Sequence, residues 1–215
     1  MSEVRDKAAW RGEILARRKA ITPGQRDREA QALARHAAAL IETSGARERP
    51  GVAGQPGADG RSGTAGEATW ICAYVPVGGE PGSLAMLDAL RAAGARVLLP
   101  VTGEPGPLEW AEYEGPERLR RGRFGLREPE GAPIADALRL AEVILIPALA
   151  VDRSGTRLGR GAGYYDRSLH ASRADARLIA VVRDDEVVAH LPRESHDHRM
   201  GWALTPFGGL RELDE

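Results

Sequence analysis

Apolar residues recur along this chain with two different periods, and the period changes where helices should give way to strands. Residues 3–20 are rich in Ala, Arg, Glu and Leu, and Lys7, Arg11, Ile14 and Arg18 share one face of a predicted helix. A second helix is predicted to open at Thr22-Pro23-Gly24-Gln25. Thr22 can cap it, Pro23 suits its first turn, and Gln25 can complete a capping box. Ala30, Leu33, Ala37, Leu40 and Ile41 form its core-facing stripe, and the pattern ends near Ser44-Gly45. From 69 the pattern is that of strands. Thr69–Val75 is an apolar run stopped by Pro76, residues 83–93 read as a helix with Leu84, Leu87 and Leu90 inward, and Gly94 caps it. Arg96–Leu99 is a second strand, ended by Pro100. A strand, a helix and a strand with such short joints predict a βαβ unit with parallel strands. Residues 108–113 alternate as a half-exposed strand would, whereas Val143–Ile146 and Leu178–Val182 are continuous apolar runs expected of strands buried on both faces. Pro147 should end the first of these.

The expected fold class is therefore α/β: an open, mostly parallel twisted sheet flanked by helices, a Rossmann-like three-layer arrangement with N-terminal helices. One domain spanning 1–215 is expected, interrupted at 45–68 by a Gly- and Pro-rich stretch with almost nothing to bury. That stretch is read as a flexible surface insertion, and removing 48–66 should leave folding largely intact.

Composition narrows the function classes. The 215 residues are 42% hydrophobic and 28% charged, as in a globular protein, with a net charge of −1 that provides no basic field for nucleic acid. The single cysteine, Cys72, lies in a strand-like run and excludes both a disulfide framework and a cysteine-based zinc cluster. His196-Asp197-His198 supports a transition-metal site only thinly. No stretch approaches the ~20 apolar residues of a membrane span, and no signal-peptide pattern opens the chain. The cytoplasm, no membrane partner and a monomeric state are the default expectations.

The chemistry concentrates in one loop. Residues 155–167 read Gly-Thr-Arg-Leu-Gly-Arg-Gly-Ala-Gly-Tyr-Tyr-Asp-Arg, so Gly159, Gly161 and Gly163 alternate among Arg157 and Arg160 and run into Tyr164-Tyr165-Asp166. Glycines free the backbone to turn its N–H groups on an anion. A helix starting after them adds its positive end. Arginines add permanent charge, and an aspartate is a hard oxygen ligand suited to Mg²⁺ beside a phosphate. The loop follows the 143–146 strand by about a dozen residues, which places it beyond the carboxyl ends of the strands, where ligands of open sheets gather. It fits neither a Walker A motif nor a dinucleotide fingerprint. On these residues alone a phosphate loop and a purely structural turn both remain open. So do a solvated basic face for Lys7 and Arg11, a helix cap for Asp166, a surface turn for Asp197 and sheet packing for Trp110 and Tyr113.

The run from Ile146 to Leu169 closely resembles the signature of the 5-formyltetrahydrofolate cyclo-ligases, also called 5,10-methenyltetrahydrofolate synthetases. Four further segments resemble that family in order. They are Lys7-x-x-x-Arg11, Tyr74-Val-Pro-Val-Gly-Gly-Glu80, the Gly122–Pro129 block and Leu191–Asp197. The resemblance implies cyclisation of 5-formyltetrahydrofolate, polyglutamylated forms included, to 5,10-methenyltetrahydrofolate, with ATP as co-substrate and Mg²⁺ as cofactor, through a phosphorylated formyl group. It implies ATP contacts from Lys7, Arg11, Arg157, Leu158, Gly159, Arg160, Gly161, Ala162, Gly163, Tyr164 and Tyr165. It implies folate contacts from Val75, Glu80 and Arg160 to Tyr164, magnesium ligation by Asp166 and Asp197, and catalytic roles for Arg160, Tyr164 and Asp166. Ala162, Val151, Ser83 and Gly201 depart from the family's usual residues.

Overall fold

The computed structural model describes residues 6–45, 68–103, 106–122, 125–194 and 197–214, so the predicted insertion lies, but for its end residues, outside the described residues. Helix α1 (Lys7–Lys19) is capped by Asp6, whose carboxylate accepts the Ala9 N–H at 2.7 Å. Helix α2 (Pro23–Gly45) starts where Thr22 and Pro23 predict, with the Gln25 N–H donating to the Thr22 hydroxyl at 3.3 Å. The expected capping box does not close. Gln25 Nε2 instead donates to Glu29 Oε1 at 2.8 Å, because Glu29 is buried and draws the amide along the helix.

The remaining elements alternate strand and helix around one sheet. They are β1 (Trp70–Cys72), α3 (Leu84–Ala92), β2 (Arg96–Val101), β3 (Glu109–Glu112), β4 (Leu119–Arg121), β5 (Arg127–Pro129), α4 (Ala137–Leu140) and β6 (Val143–Pro147). After these come β7 (Ala150–Asp152), β8 (Arg157–Leu158), α5 (Tyr164–Ser168), β9 (Arg177–Val181), β10 (Val187–Val188), β11 (Trp202–Thr205) and β12 (Gly209–Glu212). Seven strands form the main sheet in the order β12-β11-β9-β6-β1-β2-β3. Its five inner strands run parallel, and β3 and β12 close the edges antiparallel.

Successive side chains of a strand point to opposite faces, and here both faces are covered. Ile71, Val97, Leu99, Val143, Leu145, Ile179 and Val181 pack with Leu33, Ala37, Leu40, Met86, Leu87 and Leu90 of α2 and α3. Their neighbours Cys72, Leu98, Ile144, Ile146 and Ala180 pack on the other side with Ala137, Leu138, Leu169 and Met200. That arrangement is the three-layer α/β fold expected from the sequence. Two strand details differ. Pro100 and Pro147 sit inside β2 and β6 rather than just beyond them. β3 is half-exposed as expected, with Glu109 exposed and Trp110 and Ala111 buried, but the burial does not alternate, since Trp110 enters one core and Tyr113, just after the strand, the other. Sheet packing is therefore the role of both aromatics.

Candidate active site

A cavity of about 420 Å³ opens at the carboxyl ends of β1, β2 and β6, with Tyr74, Val75, Pro100, Thr102 and Pro147 in its wall. The predicted residues converge on it. Lys7, Arg11, Val75, Glu80, every residue from Arg157 to Asp166, and Asp197 all line it.

The glycine loop is anchored before it begins. Asp152, fully buried at the end of β7, accepts the Thr156 N–H at 2.9 Å and the Ser154 hydroxyl at 2.8 Å on Oδ1. Its Oδ2 accepts the Leu191 N–H at 2.9 Å. The hairpin of β7 and β8 is thereby tied to the segment that carries Asp197. Within the loop, Gly161 (φ +104°) and Gly163 (φ +68°) take the left-handed backbone that glycine permits, whereas Gly159 does not. Gly163 immediately precedes the short helix α5, so Asp166 lies in the first turn and is not the cap.

The first helix reaches this loop. Ile14 and Arg18 are buried, and the same face brings Arg11 Nε to 3.0 Å from the Gly159 carbonyl oxygen and Lys7 Nζ to 2.9 Å from Asp197 Oδ2. Lys7 also lies 3.1 Å from Glu194. Burial lowers the pKa of Lys7 but the hydrogen bonds to Asp197 and Glu194 outweigh it, so the group sits above its ordinary 10.5 and stays charged. Arg18 does not face the cavity as a ligand group. Its guanidinium is paired with Glu186 at 2.6 Å and donates to the Ala148 carbonyl at 2.7 Å. Beside it Arg183 joins Glu29 at 2.8 Å and the Gly79 carbonyl at 2.9 Å, which fixes the turn before Glu80.

The carboxylates of the site are held by cations or backbone. Asp166 Oδ1 accepts from Arg157 at 2.7 Å, and the Arg157 side chain is itself buried. Glu80 accepts the Val77 N–H at 3.0 Å on one oxygen and Arg160 at 2.9 Å on the other. Burial, with the charge of Glu80 adding to it, pushes the Tyr165 hydroxyl far up, so it stays protonated. Burial likewise pushes up the thiol of Cys72, which sits in the core as its sequence context suggests and plays no part in the cavity.

Among the described residues no group of three or more His, Cys, Asp or Glu side chains gathers to hold a metal ion. His196 lies outside the described residues. Asp166 and Asp197 nonetheless offer carboxylate oxygens in one cavity. Mg²⁺ takes only one or two carboxylates when phosphates and waters complete its shell, so this donor set fits an ion that arrives with a nucleotide. Among the described residues Arg157 Nε is buried without a hydrogen-bond partner.

Sequence reasoning missed several residues that shape the site. Thr102, just after β2, and Glu128 of β5 line the cavity, and Asp152 and Arg183 hold its loops. Glu128 stood inside a quoted block, yet nothing in its spacing says that the β5 ribbon folds over the mouth of the sheet.

An open, mostly parallel sheet with a cavity at its carboxyl edge, rimmed by charged side chains, defines the class as an α/β enzyme of the three-layer type. The sequence profile of the 5-formyltetrahydrofolate cyclo-ligase family matches residues 61–206, and the chain belongs to that family. A 5-formyltetrahydrofolate cyclo-ligase of Mycolicibacterium smegmatis is 56% identical over 149 residues, covering 66% of this chain and 76% of that one. One of Escherichia coli K12 is 30% identical over 141 residues, covering 63% and 77%. Two solved structures share the fold. The 5,10-methenyltetrahydrofolate synthetase of Aquifex aeolicus superposes with a TM-score of 0.69 at 22% identity, over 97% of this chain and 93% of that one. That of Mycoplasma pneumoniae superposes with a TM-score of 0.67 at 17% identity, over 93% and 98%.

Proposed function

We propose that this chain converts 5-formyltetrahydrofolate to 5,10-methenyltetrahydrofolate with ATP as phosphoryl donor, releasing ADP and phosphate. The observation that carries the reading is the convergence of α1 and the glycine loop. Lys7 and Arg11 meet residues 157–166 in one cavity, so cations and backbone N–H groups share a wall with two aspartates.

The chemistry asks for little covalent help. The formyl oxygen attacks the γ-phosphorus, one P–O bond forms, and the bond to ADP breaks. N10 then attacks the formyl carbon and loses its proton. The C–N bond forms, the C–O bond breaks, and phosphate leaves with the formyl oxygen. Positioning and charge neutralisation dominate such phosphoryl transfers. In this reading Lys7, Arg11, Arg157 and the backbone from Leu158 to Tyr165 grip the polyphosphate. Val75, Glu80 and the stretch from Arg160 to Tyr164 hold the folate, with Arg160 and Tyr164 nearest the reacting atoms. Asp166 and Asp197 would hold Mg²⁺, which supplies neutralisation of phosphate charge. The test is an isotope label. With ¹⁸O in the formyl group the label is expected in inorganic phosphate, and unlabelled phosphate alongside methenyl product would overturn the phosphorylated intermediate.

A further inference from the structure

The turn that carries Glu80 borders two hollows. Val77 and Glu80 line the main cavity, while Gly78, Glu80 and Gly82 line a second one of about 290 Å³, with Glu29 and Arg183 in its wall. The turn is held by polar ties to its carbonyls. The two residues flanking Glu80 each accept from a buried side chain. The Tyr74 hydroxyl donates to the Pro81 carbonyl at 2.7 Å, and Arg183 Nη1 donates to the Gly79 carbonyl at 2.9 Å. Pro81 is itself buried, which anchors the later half of the turn. Gly78 is exposed, so the earlier half leans on Arg183. Arg160 also reaches this turn, at Glu80 and at the Val77 carbonyl. It comes from the glycine loop and its side chain is 45% exposed, so it ties two parts of the site to each other and neither to the frame.

Arg183 does make that tie. Its Nε pairs with Glu29 of α2 at 2.8 Å. Its backbone N–H donates to Glu186 Oε2 at 2.8 Å, and Glu186 in turn holds Arg18 of α1 through both oxygens, at 2.6 and 2.7 Å. All four side chains are buried. A guanidinium can serve two acceptors in different directions from fixed nitrogens, which an ammonium cannot. A buried ion pair is weak evidence for stability, since an apolar pair of similar volume often does as well. The Gly79 carbonyl is what an apolar pair would leave without its donor.

We infer that Arg183 is a positioning residue for folate binding: by gripping the Gly79 carbonyl from a frame of α1 and α2, it sets where Glu80 presents its carboxylate to the cavity. The inference rests on the proposed reading, in which Glu80 contacts the folate, and deepens it. Arg183 is not in the wall of the main cavity, so its effect passes through the turn. Small displacements of a positioning group are felt strongly at a site.

The experiment uses Glu29→Met/Arg183→Met, which removes the ion pair whole and leaves neither charge buried alone. Calorimetry measures dissociation constants for 5-formyltetrahydrofolate and separately for ATP, without turnover. The folate constant should rise roughly fivefold or more and the ATP constant should stay within about twofold. Hydrogen exchange adds a local readout. The Glu80 N–H donates to the Val77 carbonyl at 3.1 Å, and its exchange should quicken as the turn loosens. A merely structural role would shift the melting temperature and move both constants together, or neither. An unchanged folate constant in the folded variant, or equal rises in both constants, overturns this inference alone. Failure of the wild-type protein to bind 5-formyltetrahydrofolate overturns it together with the reading beneath it. Should the double variant not fold, Arg183→Lys decides on the same two constants. It keeps a charge against Glu29 but has one nitrogen for two acceptors, so the folate constant should rise alone, and an unchanged one overturns the inference.

Discussion

Lys7 Nζ and Asp197 Oδ2 lie 2.9 Å apart, although 190 residues separate them in the chain. The pair joins the first helix to the segment after β10 across the mouth of the cavity. It places a cation and a carboxylate side by side in the wall of the cavity. Replacing Lys7 with Met should raise the KM for ATP by about tenfold or more, as expected for loss of a charge-assisted phosphate contact. The KM for 5-formyltetrahydrofolate should change little. Steady-state kinetics with each substrate varied in turn checks this, and equal changes in both would contradict it.

The same pair gives a pH signature. The folded-state pKa of Lys7 lies above its ordinary 10.5. Its contribution to stability is therefore complete below pH ~10.5 and is lost as pH rises through the folded-state value. Thermal melts of wild type and Lys7→Met should differ by a constant amount near neutrality, and the gap should close at strongly alkaline pH. A gap that widens with alkalinity would contradict the sign.

Asp166 holds the buried Arg157 at 2.7 Å as well as facing the cavity. Asp166→Asn should lower turnover and raise the Mg²⁺ concentration needed for half-maximal rate, because a neutral amide is a poorer hard-cation ligand. It should also cost about 1–3 kcal/mol of stability, since Arg157 is left without its counter-charge. Magnesium titrations and denaturant melts read the two effects separately. Unchanged magnesium dependence would reject the ligand role and leave the structural one.

Gly155 sits at φ +81°, and a Cβ there would fall 2.3 Å from the Met200 carbonyl oxygen. The Met200 N–H in turn donates to the Gly155 carbonyl at 2.8 Å. Gly155→Ala therefore combines a disfavoured backbone with a clash against main chain, and should destabilise by more than about 2 kcal/mol. Urea melts check this. A loss below about 0.5 kcal/mol would show that the turn re-forms around the methyl group.

Much of the sheet could be read from the chain because its strands are apolar on both faces. Val143–Ile146 and Leu178–Val182 can only be stable between two layers, and both are central parallel strands. The glycine loop was equally legible, since its residue types serve the backbone conformation they adopt. The small strands were not. β7, β8 and β10 are two or three residues long, and what holds them is Asp152, whose partners lie up to 39 residues away. Arg18 and Arg183 illustrate the same limit. Nothing in the sequence around either marks its partner, and each is buried against a glutamate on a distant element. Glu128 was invisible as a site residue because its place depends on how the β4–β5 ribbon meets β2.

Ring closure in this cavity would be read by near-ultraviolet absorbance of the purified protein with 5-formyltetrahydrofolate, ATP and Mg²⁺. The strong band of the methenyl product should grow, depend on ATP and be lost in Lys7→Met/Asp166→Asn. A folded protein that produces no band above an enzyme-free blank would contradict it.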